Sequence, residues 1–172
     1  QALGSASLEW SDLFLADGGT IQFGNDQEIR LIHTADTGLI LKHTATADDK
    51  PVSLTLQTGE TDIAADDVIG KIDFQAPDEG TGTDAVLVAA GIRARSEGDF
   101  AADSNATSLE FMTGASEAAT AKVKITSAGH LMPTADDSYD LGSSSLQWRN
   151  IYTGDLHLSN MTKDIGNIVD GT

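Results

Sequence analysis

The stretches TSLEFMT at residues 107–113 and AKVKI at residues 121–125 contain the pattern that decides the fold. In the first stretch leucine and phenylalanine alternate with serine and glutamate, and in the second valine and isoleucine alternate with lysine. Strict alternation of apolar and polar residues is typical of a strand that buries one face. Both stretches are therefore predicted to be strands. The residues between them, 115–119, are predicted to form either one short helical turn or a hairpin loop.

The same alternation recurs towards the N-terminus, and clusters of Gly, Asp and Thr that are typical of turns separate the alternating runs. Gly70 interrupts one run, as a β-bulge or a close backbone contact would. A longer apolar run at 84–95 lacks the alternation and is predicted to be a strand buried on both faces. The predicted fold class is therefore all-β with short strands. The alternating runs are 29–33, 39–42, 52–57 and 69–74, and single helical turns are considered at 7–10 and 145–148.

An eight-residue element occurs twice in the chain. The sequence LGSASLEW at 3–10 returns 138 residues later as LGSSSLQW at 141–148, and six of the eight positions are identical. Both tryptophans of the chain lie in these two copies. Repetition at such a long period indicates units strung end to end along an elongated molecule. The apolar residues in and after the two copies are predicted to pack the connectors between these units, and they are Leu3, Leu8, Trp10, Leu13, Phe14, Leu141, Leu146, Trp148, Ile151 and Tyr152.

The charge balance excludes several classes of partner. In the 172-residue chain 27 acidic residues outnumber 10 basic ones, which gives a net charge of −17 at neutral pH. Binding to nucleic acid or to an anionic membrane surface needs the opposite sign. No apolar stretch approaches the roughly 20 residues of a membrane span. The chain has no cysteine, which excludes disulfides and thiol nucleophiles. Because it begins at Gln1, it is expected to be a piece of a longer polypeptide.

The thin supply of bulky side chains predicts an oligomer. Aromatic residues make up 5% of the chain, whereas a monomer of this length should bury roughly two thirds of its unfolded surface around a core. A chain with so few bulky residues could instead be disordered, but 40% hydrophobic residues and a regular apolar pattern argue against disorder. A core that is completed by other chains is therefore expected.

The sequence is poor in catalytic signatures, and no enzymatic activity is predicted. None of the four histidines pairs with another at a metal-ligand spacing. His33 and His43 lie in strand patterns, where packing or surface roles are favoured, although a threefold axis would turn one histidine into three metal ligands. Acidic pairs such as Asp48 and Asp49 are interpreted as solvated turn carboxylates rather than a glycosidase pair. A structural cation such as Ca²⁺ is the one cofactor that these turns would suit.

Longer segments of the chain resemble a known class of protein. The stretches VIGKIDF at 68–74, VAAGIRA at 88–94 and EGDF at 97–100 precede the two strand patterns quoted first, and LMP and DLGSSSLQWRNIY follow within 131–152. This order is similar to that of the distal segments of bacteriophage tail fibres and tailspikes. In that family the last stretch often precedes a C-terminal intramolecular chaperone that cleaves itself off. The resemblance spans about residues 68–158, and residues 3–23 repeat part of it.

This resemblance implies an elongated, interwoven homotrimeric fibre with short strands and a β-rich, knob-like module. The implied function is that of a structural component of a phage tail fibre, extracellular on the virion, which contributes to host-surface attachment. The implied partners are the chain itself, other tail-fibre or virion proteins, and a bacterial surface glycan or protein. The alternative is a segment of a cellular surface filament or trimeric adhesin. A polysaccharide-degrading tailspike is a weaker third interpretation, because neither a long β-helix nor a carboxylate cleft is visible.

Four segments are expected along the chain: a connector at 1–26, a strand-rich shaft at 27–67, the knob-like module at 68–130 and a second connector at 131–172. Receptor contacts are expected on two polar loops, around 76–84 and 96–107. The aromatic residue of the second loop is a candidate for sugar stacking, with a buried anchor of the loop as the favoured interpretation. The candidate receptor-facing residues are Asp78, Glu79, Thr81, Asp99, Phe100, Asp103 and Asn105.

Overall fold

The computed structural model describes residues 3–75 and 82–155, and the chain divides into two compact units, Gln1–Gln57 and Thr58–Thr172. Every regular element in the described part of each unit is a β-strand, which confirms the all-β prediction. The trimeric interweaving and the division into four segments stay predictions. Among the described residues there is no helix of the length and apolarity that a membrane span requires.

The first unit contains a three-stranded antiparallel sheet whose strands pair in chain order. The last turn of this sheet is closed by a hydrogen bond of 3.1 Å from the Thr37 N–H to the Thr34 carbonyl. Asp36 has a φ of 58° there, a left-handed conformation in which Asp is several-fold enriched. The strands are β1 (Thr20–Phe23), β2 (Ile29–Thr34) and β3 (Gly38–His43).

The second unit contains a five-stranded antiparallel sheet, again in chain order. The residues at 115–119 form a hairpin loop, which is one of the two predictions made for them. Hydrogen bonds from the Gly114 N–H to the Ala89 carbonyl (2.9 Å) and from the Ala119 N–H to the Val88 carbonyl (2.8 Å) tie the ends of this loop to a neighbouring strand. The strands are β4 (Val68–Gln75), β5 (Val88–Ser96), β6 (Thr107–Thr113), β7 (Thr120–Ile125) and β8 (Leu131–Pro133).

The bulge predicted at Gly70 is confirmed. The register of β4 against β5 shifts between Val68 and Gly70, which is where the apolar alternation of the sequence is interrupted. A second shift lies between Phe111 and Met112 in the pairing of β6 with β7. A bulge adds a residue to one strand and increases the local twist.

Two predictions about strands are wrong. The alternating residues 52–57 form no strand, and Val52, Leu54 and Leu56 are exposed. A strand needs a partner for its backbone groups, and no described strand pairs with this segment. The apolar run at 84–95 is not one strand buried on both faces, because residues 84–87 form a turn and most of β5 is only half-buried.

Other local elements also differ from the predictions. The helical turns considered at 7–10 and 145–148 do not form, because both segments belong to turns of a different kind that are described below. The strands β1 and β8 had no clear signal in the sequence. They are the shortest strands of the described structure, and their pairing partners rather than their own pattern place them in the sheets.

Few apolar side chains are buried within the chain. Among the described residues the buried apolar side chains are those of Ile63, Met112 and Ala119, and the one fully buried side chain is the small one of Ser96. A sheet normally buries one apolar face against a second layer of structure. Each of these sheets is a single layer, since the described residues of its own unit form no further strand or helix.

Ser96 attaches the segment before β4 to the end of β5. Its hydroxyl donates a hydrogen bond of 2.5 Å to the Ala64 carbonyl, and its N–H donates one of 2.9 Å to the Asp67 carbonyl. The Asp66 N–H donates in return to the Ser96 carbonyl at 3.2 Å. These bonds satisfy backbone groups that would otherwise be buried without partners.

The repeated element folds the same way twice, and we call its copies hook 1 (residues 3–10) and hook 2 (residues 141–148). In hook 1 the Ser5 N–H donates to the Leu8 carbonyl at 3.0 Å, and the Leu8 N–H donates to Ser5 Oγ at 3.1 Å. In hook 2 the same bonds join Ser143 and Leu146 at 2.9 and 3.0 Å. The serine therefore closes each turn with both its backbone and its side chain.

Each hook needs its glycine. Gly4 and Gly142 have φ values of 83° and 91°, a region that glycine enters without a steric penalty. A β-carbon at Gly4 would lie 2.9 Å from the Leu8 carbonyl oxygen and 3.1 Å from Cδ1 of Trp10. At Gly142 the equivalent distances, to Leu146 and Trp148, are 3.0 and 3.4 Å. In both hooks one edge of the indole is therefore held against the glycine.

We expect Ser96→Ala to lower the free energy of unfolding by about 1–2 kcal/mol, because the Ala64 carbonyl loses a partner in a buried position. The measurement is urea denaturation at one fixed protein concentration. The control is Ser138→Ala, which removes a local bond on an exposed turn and should change stability by less than about 0.5 kcal/mol. Equal effects of the two variants would contradict the role given to Ser96.

We expect Gly142→Ala to disrupt hook 2, because a left-handed alanine costs about 1–2 kcal/mol and its β-carbon meets the Leu146 carbonyl. The chain has two tryptophans, so its indole N–H region in a proton–nitrogen NMR spectrum contains two signals. The signal of Trp148 should move and that of Trp10 should stay. The control is Gly129→Ala, which has a similar φ of 82° but open space around the new methyl group, and it should move neither signal.

Candidate interaction surfaces

One face of the five-stranded sheet is apolar across all five strands. Residues that pair directly across antiparallel strands point to the same face. The register therefore places two rows of side chains on this face, which we call the apolar face. The first row is Ile72, Ile92, Phe111, Val123 and Pro133, and the second is Gly70, Ala94, Leu109, Ile125 and Leu131.

The apolar face is open to solvent. Its larger side chains remain 37–68% exposed, and these are Ile72, Leu109, Phe111, Ile125 and Leu131 of the two rows and Phe74, which lies two residues beyond Ile72 on the same face of β4. A contiguous apolar patch of this size on a soluble protein marks an interaction site. Gly70 and Ala94 make one row shallow at the end formed by β4 and β5, so that a partner surface could approach the backbone closely there.

The opposite face of the same sheet is charged. One row across it consists of Lys71, Arg93, Glu110, Lys124 and Met132. Glu110 is the buried centre of this row, and its Oε2 pairs with Nε of Arg93 and lies 3.7 Å from Nε of Arg95. Arg95 also reaches Asp66 at 3.3 Å, and Lys71 pairs with Asp73 at 2.5 Å. The charges on this face are thus largely paired among themselves.

An antiparallel sheet usually packs its apolar face on the core and leaves the polar face in water. Here the charged face contains the buried side chains of β6, which are Ser108, Glu110 and Met112, whereas Leu109 and Phe111 on the other face are exposed. A self-contained domain would be unstable in this arrangement. The apolar face is therefore the candidate site for a partner.

The three-stranded sheet also has an open apolar face. Its register puts Ile21, Leu31 and Leu41 in one row and Phe23, Ile29 and His43 in the next. Ile21 is 38% exposed and Phe23 is 53% exposed. The other face of this sheet includes the row of Gln22, Arg30 and Lys42. Both units therefore present an apolar face that their own described residues do not cover.

The two histidines considered as metal ligands lie on the apolar face of the three-stranded sheet. Nδ1 of His33 is 3.8 Å from Asp17 Oδ1, and Nδ1 of His43 accepts a hydrogen bond of 3.1 Å from the Ala45 N–H. In the part of the chain that the structure describes, no three side chains of His, Asp or Glu are grouped to hold a metal ion. The Ca²⁺ site and the threefold histidine site stay predictions.

The acidic residues of two turns behave as solvated carboxylates. Hydrogen bonding with the Glu28 side chain lowers the pKa of Asp26 below its ordinary value, in the turn between β1 and β2. A hydrogen bond from the Ser116 N–H lowers the pKa of Glu117 in the β6–β7 loop. Neither carboxyl is poised to donate a proton at neutral pH, which agrees with the interpretation of such residues as turn carboxylates.

All ten residues predicted to pack the connectors have exposed side chains. In hook 1 and the residues after it, the exposed fraction runs from 65% at Leu13 to 91% at Phe14, and in the second copy from 63% at Trp148 to 92% at Tyr152. Within the chain the indole of each hook contacts its own glycine. The packing of these residues in a trimer stays a prediction.

Four of the seven candidate receptor-facing residues lie in the described structure, and Asp78, Glu79 and Thr81 lie outside it. Asp99 accepts a hydrogen bond of 2.9 Å from the Ala65 N–H, and the Phe100 N–H donates one of 2.8 Å to the Ile63 carbonyl. These two bonds fix the base of the 96–107 loop.

The tip of that loop points into solvent. Phe100 is half-buried, which fits an anchor of the loop better than an open stacking platform. Asp103 and Asn105 are exposed beyond it, next to a tight turn in which the backbones of Ala101 and Ser104 bond to each other. Contact of this loop with a receptor stays a prediction.

No protein-family description matches the sequence, and no curated protein matches it. Two solved structures are similar to it, both of the carboxy-terminal domain of the L-shaped tail fibre of bacteriophage T5, one of them with its intramolecular chaperone domain. Each is 16% identical to this chain, with TM-scores of 0.44 and 0.43 over 100% and 93% of its length. The chain spans 35% of the first structure and 47% of the second. Both are phage tail-fibre domains, the class of protein that the sequence resembles.

Proposed function

We propose that this chain is a structural segment of a trimeric phage tail fibre, which extends from the virion and contributes to attachment at the bacterial surface. The observation that carries the proposal is the open apolar face of the five-stranded sheet, two rows of side chains without a charge among them. A surface of this kind is built for permanent contact with another protein. The proposed role is structural.

The magnitude of the hydrophobic effect favours assembly. Full burial of a Leu, Ile or Phe side chain stabilises a protein by about 1.5–3 kcal/mol. Six large side chains of the apolar face are about half exposed, so covering them yields about 6 kcal/mol per chain. The three-stranded sheet and the two hooks add further apolar area. This free energy is comparable to the whole stability of a small domain.

Other copies of the same chain are the partner proposed for this face. A self-association buries equivalent surfaces together without requiring a second gene product, and most soluble oligomers are of this kind. Two copies would form a two-layer sandwich and three would enclose an axis. The number three comes from the resemblance to trimeric tail fibres, and the mass of the native particle distinguishes it from two.

Attachment follows from multivalency. A trimer presents three copies of the 96–107 loop, whose exposed tip includes Asp103 and Asn105. Weak individual contacts to a surface glycan or protein then combine, because linked sites raise the effective concentration of one another. Loops on a rigid scaffold are the usual place for such contacts. Other fibre or virion proteins would bind the ends of the segment.

We expect the native particle to have a mass of three times 18.0 kDa in light scattering, and Phe111→Glu to reduce it to one chain. The substitution places a charge in the centre of the apolar face, where it would have to be buried without a partner. The matched control is Lys71→Glu, an exposed position on the charged face, which should leave the mass unchanged. Circular dichroism shows whether each variant keeps its β-structure, and Ile125→Lys, at an edge of the face, repeats the test with a milder change.

A wild-type particle that is a folded monomer would refute the proposal, and a dimer would refute its threefold symmetry. Repeating the measurement with a chelator reveals whether a cation holds the chains together. Retention of fluorescently labelled particles on bacterial cells then tests attachment. If multivalency is the mechanism, the monomeric Phe111→Glu variant should be retained about 100-fold less strongly or worse than wild type. Equal retention would show that attachment does not depend on the trimer.

A further inference from the structure

The two hooks are independent of the sheets and nearly identical to each other. Their turns have the same hydrogen bonds, the same left-handed glycine and the same contact between glycine and indole. These contacts all lie within eight residues of the chain. A local structure that is repeated this closely adopts its conformation from its own residues, before any partner binds. Both copies have the same exposed apolar side chains.

Each hook presents a tryptophan in a fixed position. Trp10 is 69% exposed and Trp148 is 63% exposed, although each indole touches its glycine. An open cavity of about 620 Å³ lies beside the indole of hook 1, where Leu3 and Leu13 are among its lining residues, and one of about 320 Å³ lies beside the indole of hook 2. A bulky aromatic side chain that already rests with one edge on its own turn loses less entropy on binding than a free one, which is the property of a binding hot spot.

The area is sufficient for a specific contact. Aromatic residues bury about 150–250 Å² each, and every hook with its following residues offers two of them and three aliphatic side chains. Each hook with its following residues therefore offers on the order of 500 Å² of apolar surface, more than half of the about 800 Å² that a standard interface takes from each partner, and the sheets supply the remainder. Neither hook has a cover among the described residues.

We propose that each hook binds the same hook of the neighbouring copies, so that the indoles and their flanking leucines form one apolar clamp in each of the two units. This proposal rests on the proposed function, because it needs copies of the chain side by side and in register. It assigns to the repeated element a role that differs from that of the sheets. The sheets supply most of the buried area, and the hooks fix the register of the chains at two points 138 residues apart.

The charges around the hooks give a means of testing which hook meets which. Hook 1 is flanked by Glu9 and Asp12, whereas the corresponding positions of hook 2 hold Gln147 and Asn150, with Arg149 between them. Contact between like hooks brings like charges together, so added salt should strengthen it. Contact between hook 1 and hook 2 would bring acids to Arg149, and added salt should weaken it.

Tryptophan fluorescence tests the proposal directly, because both tryptophans of the chain lie in the hooks. Trp148→Phe leaves Trp10 as the reporter for hook 1, and Trp10→Phe leaves Trp148 for hook 2. In each variant we expect acrylamide to quench the remaining tryptophan several-fold less in the trimer than in the monomeric Phe111→Glu form, and its emission to lie at shorter wavelength. Higher salt should increase the protection of Trp10, and so should Glu9→Gln with Asp12→Asn.

Light scattering on the same samples separates the two proposals. A trimer in which both tryptophans are quenched as readily as in the monomer would overturn the clamp and leave the trimeric fibre standing. A wild-type monomer would overturn both. Gly142→Ala, combined with Trp148→Phe, distinguishes contact between like hooks from contact between hook 1 and hook 2. If like hooks meet, Trp10 should stay protected from acrylamide in a particle of unchanged mass. Loss of that protection, or protection that falls with salt, would show that hook 1 meets hook 2 and would overturn the pairing of like hooks.

Discussion

The structure depends on one constraint, which is that a single-layer sheet cannot leave an apolar face in water. Ile92 and Phe111 lie at the centre of two neighbouring strands, flanked on the same face by Ile72 and Val123, and nothing in the described part of their unit forms a layer over them. A hydrophobic core is normally enclosed by the chain that supplies it. Here the described residues of one chain build half of a core, and in the proposed function the second half comes from another copy.

The charged face gives a physical reason why the proposed association uses only the other face of the sheet. Glu110 pairs with Arg93 and lies near Arg95 within the sheet, and Arg95 also reaches Asp66, although Nε of Arg95 has no hydrogen-bond partner among the described residues. Four of the ten basic residues of the chain lie on this face. A second sheet packed there would have to desolvate several charges without adding partners for them. The apolar face carries no such penalty.

The sequence predicted the elements whose pattern is local and left out what depends on partners. The alternation around Phe111 predicted strands and the interruption at Gly70 predicted a bulge, because side-chain direction in a strand has a strict period of two. The serine–glycine turns of the hooks repeat because their bonds lie within eight residues. The residues 52–57 show the limit: they alternate as a strand does, but pairing is decided by a neighbour that the described chain does not provide. The sequence also predicted an incomplete core. Which face of the sheet is left uncovered could be determined only from the strand register of the structure.

Net charge opposes the proposed assembly, and the placement of the charges reduces this opposition. Three chains at −17 each carry −51, yet neither apolar row of the five-stranded sheet contains an acid. Many of the acids lie on turns, among them Asp48, Asp66 and Asp136, and are solvated. Repulsion between exposed charges is screened beyond about 10 Å at 0.1 M salt, whereas apolar contact does not weaken with ionic strength. Moderate salt therefore screens most of the electrostatic repulsion between the chains and leaves their hydrophobic attraction in place. A highly acidic chain can then form a stable oligomer and still repel other particles in solution.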